Sequence, residues 1–213
     1  MAEDSAQVVD TSLLSVTLPL IPGMVERLQT GIDVADIGCG SGHALIVMAQ
    51  AFPASRFAGY DLSQEGIGAA RAEAQRSGVT NTRFEVQDVS ALDIPGSYDL
   101  ITAFDAIHDQ ARPAQVLSAI ARALRPGGIF LMVDIAASSQ LEENGDHPLA
   151  PFLYTISCNH CMTVSLAANG AGLGTMWGEQ VAHQMLSAAG FTHIEVKHIE
   201  ADFTNSYYIA SRD

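Results

Sequence analysis

The chain has 213 residues, 48% of them apolar, which is enough for one α/β domain with a full core. Ten Lys and Arg stand against 24 Asp and Glu, a net charge of −14 that repels phosphate backbones and anionic lipid. Nucleic acid and membrane surfaces are therefore not expected as partners, and three cysteines make no disulfide framework, so a cytoplasmic location is expected.

Residues 1–10 are polar and read as a loose tail, and 11–30 as a broken lead-in helix. Strands and helices then alternate. A strand over 32–37 runs into a glycine turn and a helix over 43–52. A second strand covers 56–60, and Ser63, a good N-cap, opens a helix that stops at Gly78. Strands over 82–87 and 98–104 follow. Pro113 starts a helix on which Val116, Leu117, Ile120, Ala121 and Leu124 share one face. Gly127 and Gly128 turn the chain into a fifth strand, 129–134. Residues 136–177 break the rhythm with a Gly-rich, partly helical insertion. A helix over 179–189 ends at Gly190, and strands over 191–199 and 203–210 close the chain as a hairpin. This order predicts a mostly parallel, doubly wound α/β sheet, with 1–30 as lead-in and 31–213 as the main domain.

The strongest local signal is Val34-Ala35-Asp36-Ile37-Gly38-Cys39-Gly40-Ser41-Gly42, a buried strand entering a glycine turn and then a helix. Backbone without side chains passes close to a ligand there, and a helix N-terminus points at it. A dinucleotide fingerprint needs a third glycine at position 43, where His43 stands. The spacing Gly38-x-Gly40-x-Gly42 instead resembles the first motif of class I S-adenosylmethionine-dependent methyltransferases. Leu124-Arg125-Pro126-Gly127-Gly128 matches the turn before that family's fifth strand.

The resemblance covers residues 31–211. It implies a Rossmann-like, seven-stranded sheet with an antiparallel last strand, and S-adenosylmethionine as cofactor with S-adenosylhomocysteine as product. It implies roles residue by residue. Asp61 would hold both ribose hydroxyls, Leu62 would lie against adenine, and Asp88, beside Val89, would receive the adenine amino group. Asp36 and the Phe104 carbonyl would face the methionine ammonium. The stretch Phe104-Asp105-Ala106-Ile107-His108-Asp109 resembles the His-Asp segment of plant-type small-molecule O-methyltransferases, although Gln110 stands where those have Trp. His108 is thereby the expected general base, with Asp109 or Glu179 to orient it.

Asp105 and Asp134 end adjacent strands like the metal site of catechol-type O-methyltransferases, but Ile135 stands where those carry Asn. Cys158, His160 and Cys161 lack a fourth ligand for zinc. No metal is expected. The insertion, with Gly170, Gly172, Gly174 and Gly178, reads as a lid, and Trp177 either walls the acceptor pocket or packs the lid onto its own helix. It resembles bacterial methyltransferases that carry an N-terminal winged-helix domain, so this chain reads as a shorter relative or a fragment. The Asn-Pro-Pro-aromatic turn of nucleic-acid amino methylation and the paired glutamates of arginine methylation are missing. The expected reaction is methylation of a small molecule at oxygen, with homodimerisation left open. Two alternatives stand beside it: a cofactor-binding regulator or scaffold without turnover, and an N- or C-methyltransferase in which His108 is structural.

Overall fold

The computed structural model describes residues 12–212; the tail expected over residues 1–10 lies outside them. A π-turn at Leu13–Thr17 and a 3-10 turn at Leu18–Leu20 lead to helix α1, Met24–Thr30. The alternation then runs β1 Asp33–Ile37, α2 His43–Ala51, β2 Arg56–Asp61, α3 Gln64–Arg76, β3 Thr82–Val86, β4 Tyr98–Phe104 and α4 Pro113–Ala123. β5 is Leu124–Ile135. The insertion contributes α5 Ala150–Ile156 and α6 Met162–Ala167, joined by a π-turn at Ser157–Cys161. α7 Gly178–Ala188, β6 His193–Ile199 and β7 Asp202–Ser211 complete the described chain.

The seven strands lie in the order β3-β2-β1-β4-β5-β7-β6. β7 runs antiparallel to both β5 and β6, and the pairs from β3 through β5 are parallel. The order reverses between β1 and β4, and in open α/β sheets the crevice outside the carboxyl ends of such strands binds ligands. β1 is buried along Val34–Ile37, Asp36 included, because helices cover both faces of the sheet. One face is closed by the buried sides of α4 and α7, with Trp177 and Phe191 among them. The other is closed by α2 and α3 and by Leu13, Leu18, Ile21, Met24 and Leu28 of the lead-in. The lead-in thus fills the same core as the sheet, and the Lys197 ammonium ties it down by donating to the Leu20 carbonyl at 2.9 Å.

Ser63 caps α3 as expected, its hydroxyl accepting from the Gly66 N–H at 3.0 Å. The fifth strand departs from expectation. Leu124, expected on the helix face, is its first residue, and Gly127 and Gly128 lie inside it. Tyr98 pairs with Leu124 and Leu100 with Ile129, so two steps of β4 face five of β5, and the Arg125-Pro126-Gly127-Gly128 stretch bulges out. A bulge needs a partner strand, which periodicity along one chain does not show.

Candidate active site

The glycine turn packs against the end of β2. The Gly38 N–H donates to the Tyr60 carbonyl at 2.8 Å, and the Gly40 N–H donates to Asp61 Oδ2 at 2.9 Å. Asp61 Oδ1 accepts from the Ser63 N–H at 2.8 Å, so both carboxylate oxygens are held at the strand end with lone pairs to spare. All three glycines have positive φ, but their surroundings differ. A Cβ on Gly42 would sit 2.5 Å from the Phe84 ring, whereas one on Gly40 would meet nothing within 4 Å. Gly42 is there for packing and Gly40 leaves open space over the turn.

A cavity of about 480 Å³ opens beside this turn, a volume within the range of small-molecule sites. Gly38, Asp61, Leu62 and Val89 line it together with Asp105 and Asp109, and Val164 and Ala168 of the insertion join them. The insertion is pinned over the crevice: the Ser165 hydroxyl donates to the Gln110 carbonyl and the Ala171 N–H to the Ala111 carbonyl. Gly178, read as part of a movable lid, has φ +78 and no room for a Cβ, which would fall 2.1 Å from the Ser139 nitrogen. Trp177 is buried in the core under α7 and is not on the cavity wall.

The remaining expected cofactor residues, Asp36, Gly40, Gly42, Asp88 and Phe104, do not line the cavity. Asp88 accepts from the N–H and the hydroxyl of Ser90, and these bonds hold its carboxyl below the ordinary range against partial burial. Asp36 is buried under the turn and accepts from the Thr102 hydroxyl at 2.7 Å. Burial pushes its pKa up to about 7; the Thr102 bond opposes this and the charge of Asp61 adds to it. The unfolded carboxyl ionises near 4, so between about pH 4 and 7 the folded chain holds a proton the unfolded chain lacks. Stability is full below that window and falls through it, on the order of 1.4 kcal/mol per pH unit. Asp36→Asn, which can still accept from Thr102, should reduce this slope and raise the urea midpoint of the unliganded chain at pH 8; an unchanged slope would show that Asp36 ionises freely.

The acceptor side is built from the ends of β4 and β5. His108 is 2% exposed, and its Nδ1 lies 2.7 Å from Oδ1 of the fully buried Asp134. Asp134, and neither Asp109 nor Glu179, orients the ring from behind; Glu179 instead accepts from the Ser206 hydroxyl and meets His198. Nε2 lies 3.3 Å from Asp109 Oδ1, and among the described residues each of these two buried atoms is without a hydrogen-bond partner. Burial disfavours the imidazolium, but the charge and hydrogen bond of Asp134 outweigh it and hold the His108 pKa well above 6.5. Asp105 takes a left-handed backbone with φ 48, strain that persists only where the surroundings impose it. Burial and the nearby Asp134 charge raise its pKa to about 7, and His108 partly offsets them.

The ring of His108 therefore sits one residue behind the cavity wall, and Asp109 stands between. Asp109, Val164 and Ala168 were not legible as lining residues, since two elements far apart in sequence supply them. The nearest signal was the position of 105–109 just after β4, at the topological switch. Cys158 and Cys161 diverge: the first is exposed and the second buried, so the Cys-x-x-Cys spacing does not assemble a pair.

An aspartate closing β2 beside a glycine turn is how doubly wound proteins hold a ribose, and the fold and crevice define a nucleoside-binding α/β protein. A family model described as "Methyltransferase domain" matches residues 28–199. The chain belongs to that family, the class I methyltransferases that use S-adenosylmethionine. It is similar to the ubiquinone biosynthesis O-methyltransferase of Burkholderia vietnamiensis, 29% identical over 141 residues covering 58% of this chain and 59% of the relative. The chain thus spans about six-tenths of that relative's length. Among solved structures, the CMeT domain of the citrinin polyketide synthase superposes with a TM-score of 0.74 at 16% identity, covering all of this chain and 57% of that one. PigF, solved with SAH, gives 0.67 at 23% identity, covering 84% of this chain and 50% of that one. No helix among the described residues is long and apolar enough to cross a membrane.

Proposed function

We propose that this chain transfers the methyl group of S-adenosylmethionine to a hydroxyl oxygen of a small molecule. The observation that carries the reading is one cavity lined both by Asp61 and Leu62 and by Asp105 and Asp109. Asp61 holds the ribose hydroxyls, Leu62 and Val89 flank the adenine, and Asp88 serves its amino group. Asp36, from beneath the turn and through water, and the Phe104 carbonyl serve the amino-acid ammonium, while Gly38 and Gly40 keep the backbone clear and Gly42 packs the turn on Phe84. The bound sulfonium supplies an already activated methyl carbon. What the chain adds is orientation, exclusion of water by the insertion, and removal of the hydroxyl proton. The proton passes to Asp109 and on to His108 Nε2, and Asp134 stabilises the charge that forms. Oxygen as acceptor is supported by the ubiquinone biosynthesis O-methyltransferase among the relatives and by a buried imidazole backed by a carboxylate. The free cysteines support a reducing, cytoplasmic setting, and the acidic surface supports a small acceptor over a nucleic acid.

Incubation with S-adenosylmethionine and a panel of phenols, fatty acids and amines tests this, with S-adenosylhomocysteine and methylated acceptor measured together. Product with the phenols is expected, and product with the fatty acids alone would place the methyl on a carboxylate, which needs no proton acceptor. Product with amines alone would overturn the oxygen assignment, and tight cofactor binding with no product would favour a regulatory domain. Each charge-assisted bond to the ribose is worth about 1.5–3 kcal/mol, so Asp61→Ala should weaken S-adenosylhomocysteine binding by roughly tenfold or more. Equal affinity by calorimetry would remove Asp61 from the site.

A further inference from the structure

The corner behind Asp109 holds a third group besides His108 and its neighbour. Cys161, fully buried in the π-turn of the insertion, brings its Sγ to the same point. Ligand atoms of His108, Asp109 and Cys161 all lie within 4.8 Å of one another. With Nδ1–H given to Asp134, Nε2 is the ring nitrogen that faces this point, where Cys161 is its neighbour, and among the described residues neither Nε2 nor Asp109 Oδ1 has a partner at full hydrogen-bond geometry. A lone pair directed at a carboxylate oxygen is repulsive unless a proton or a cation lies between them. The Thr175 hydroxyl lies 3.0 Å from Cys161 Sγ and can donate to it, as suits a thiolate. A histidine that passes its other N–H to a carboxylate is the usual supporting arrangement of a metal-bound imidazole.

We propose that His108 Nε2, the Asp109 carboxylate and Cys161 Sγ bind a zinc-type divalent cation, and that the bound cation silences the proton acceptor at this site. The silencing rests on the function proposed above; the binding does not. Imidazole, thiolate and carboxylate form a borderline-soft donor set that suits zinc over magnesium or calcium. Three protein ligands leave a fourth tetrahedral position for water, and of the three only Asp109 lines the cavity. Bonds of about 2.0–2.3 Å require the three side chains to close in slightly from their present separations. The Cys161 thiol proton leaves to solvent as the Sγ–metal bond forms, and the Nε2 lone pair is taken up by the cation. Neither Cys158 nor His160, the neighbours that make the local sequence look like a zinc motif, belongs to the set.

The test is a calorimetric titration of ZnCl₂ into the tag-free, chelator-treated full chain at pH 8, with Co²⁺ as a spectroscopic probe. Saturable binding of one zinc is expected. Cys161→Ala should weaken it by more than about tenfold, and so should Asp109→Asn at the partly exposed ligand. Bound Co²⁺ should show a near-ultraviolet thiolate charge-transfer band that is lost in Cys161→Ala. No saturable binding, or equal affinity in both variants, overturns the site. Methyl transfer by the wild-type chain should fall on zinc loading and return with chelator. Zinc bound through Cys161 that leaves transfer unchanged, or speeds it, overturns the silencing and the proton-acceptor role of His108 while the site stands. Absence of binding alongside an inactive His108→Ala variant overturns the site and leaves the role of His108 intact.

Discussion

Replacing His108 by alanine should lower turnover by about 10²–10⁴-fold, the ordinary contribution of a positioned proton acceptor. Affinity for S-adenosylhomocysteine should stay close to that of the wild type, because the ring does not line the cavity to which Asp61 and Leu62 belong. The free base is the active form, so the wild-type rate should rise with pH. Its limb should lie above 6.5, since Asp134 holds the imidazolium proton. Asp134→Asn separates this role from a purely structural one. It keeps the shape of the ring's support but removes the charge, so the limb should move to lower pH as the maximal rate falls. Removing one partner of a buried charge pair also costs stability, about 3–5 kcal/mol, so both variants are read at a temperature where far-ultraviolet circular dichroism shows them folded. Near-normal turnover in His108→Ala would leave orientation and desolvation to carry the transfer, and a nitrogen or carbon acceptor would then fit better.

The second large effect concerns the fold. Gly42→Ala places a methyl group 2.5 Å from the Phe84 ring and 2.9 Å from the Ala70 methyl, at a φ of +74. The left-handed backbone costs a non-glycine residue about 1–2 kcal/mol, and overpacking a full core adds about 1–3 kcal/mol. A loss of about 2–5 kcal/mol is a large part of the stability of any domain this size. Gly40→Ala carries only the backbone cost, because nothing lies within 4 Å of its Cβ, yet it intrudes on the space over the turn. Urea titration should therefore rank the two variants Gly42 first, with the slope unchanged, while the residual affinity for S-adenosylhomocysteine in folded Gly40→Ala should fall more than its stability. Equal midpoints would mean that Phe84 moves aside freely and that the turn is softer than its packing indicates.

The order of strands and helices, the glycine turn and the placement of Asp61 at a strand end were legible from local pattern alone. Each depends on neighbours within a few residues: apolar runs bounded by glycine, the Ser63 cap, Pro113 at a helix start. The sheet class followed because strands alternating with helices can bury their apolar faces in few ways. What lay beyond that range was decided by tertiary structure. The bulge at Pro126 exists only against β4, the lead-in helix turned out to be core, and the glycine at 178 answers to the backbone of Ser139. The same holds for the acceptor side. Asp109 was legible only as a possible support for His108. Its place between the ring and the cavity, with Asp134 behind and Cys161 beside it, comes from three segments separated by tens of residues. Side-chain chemistry sets what each group can do, but which charges face one another in a buried site is set by packing. Spacing along a single chain carries no record of it.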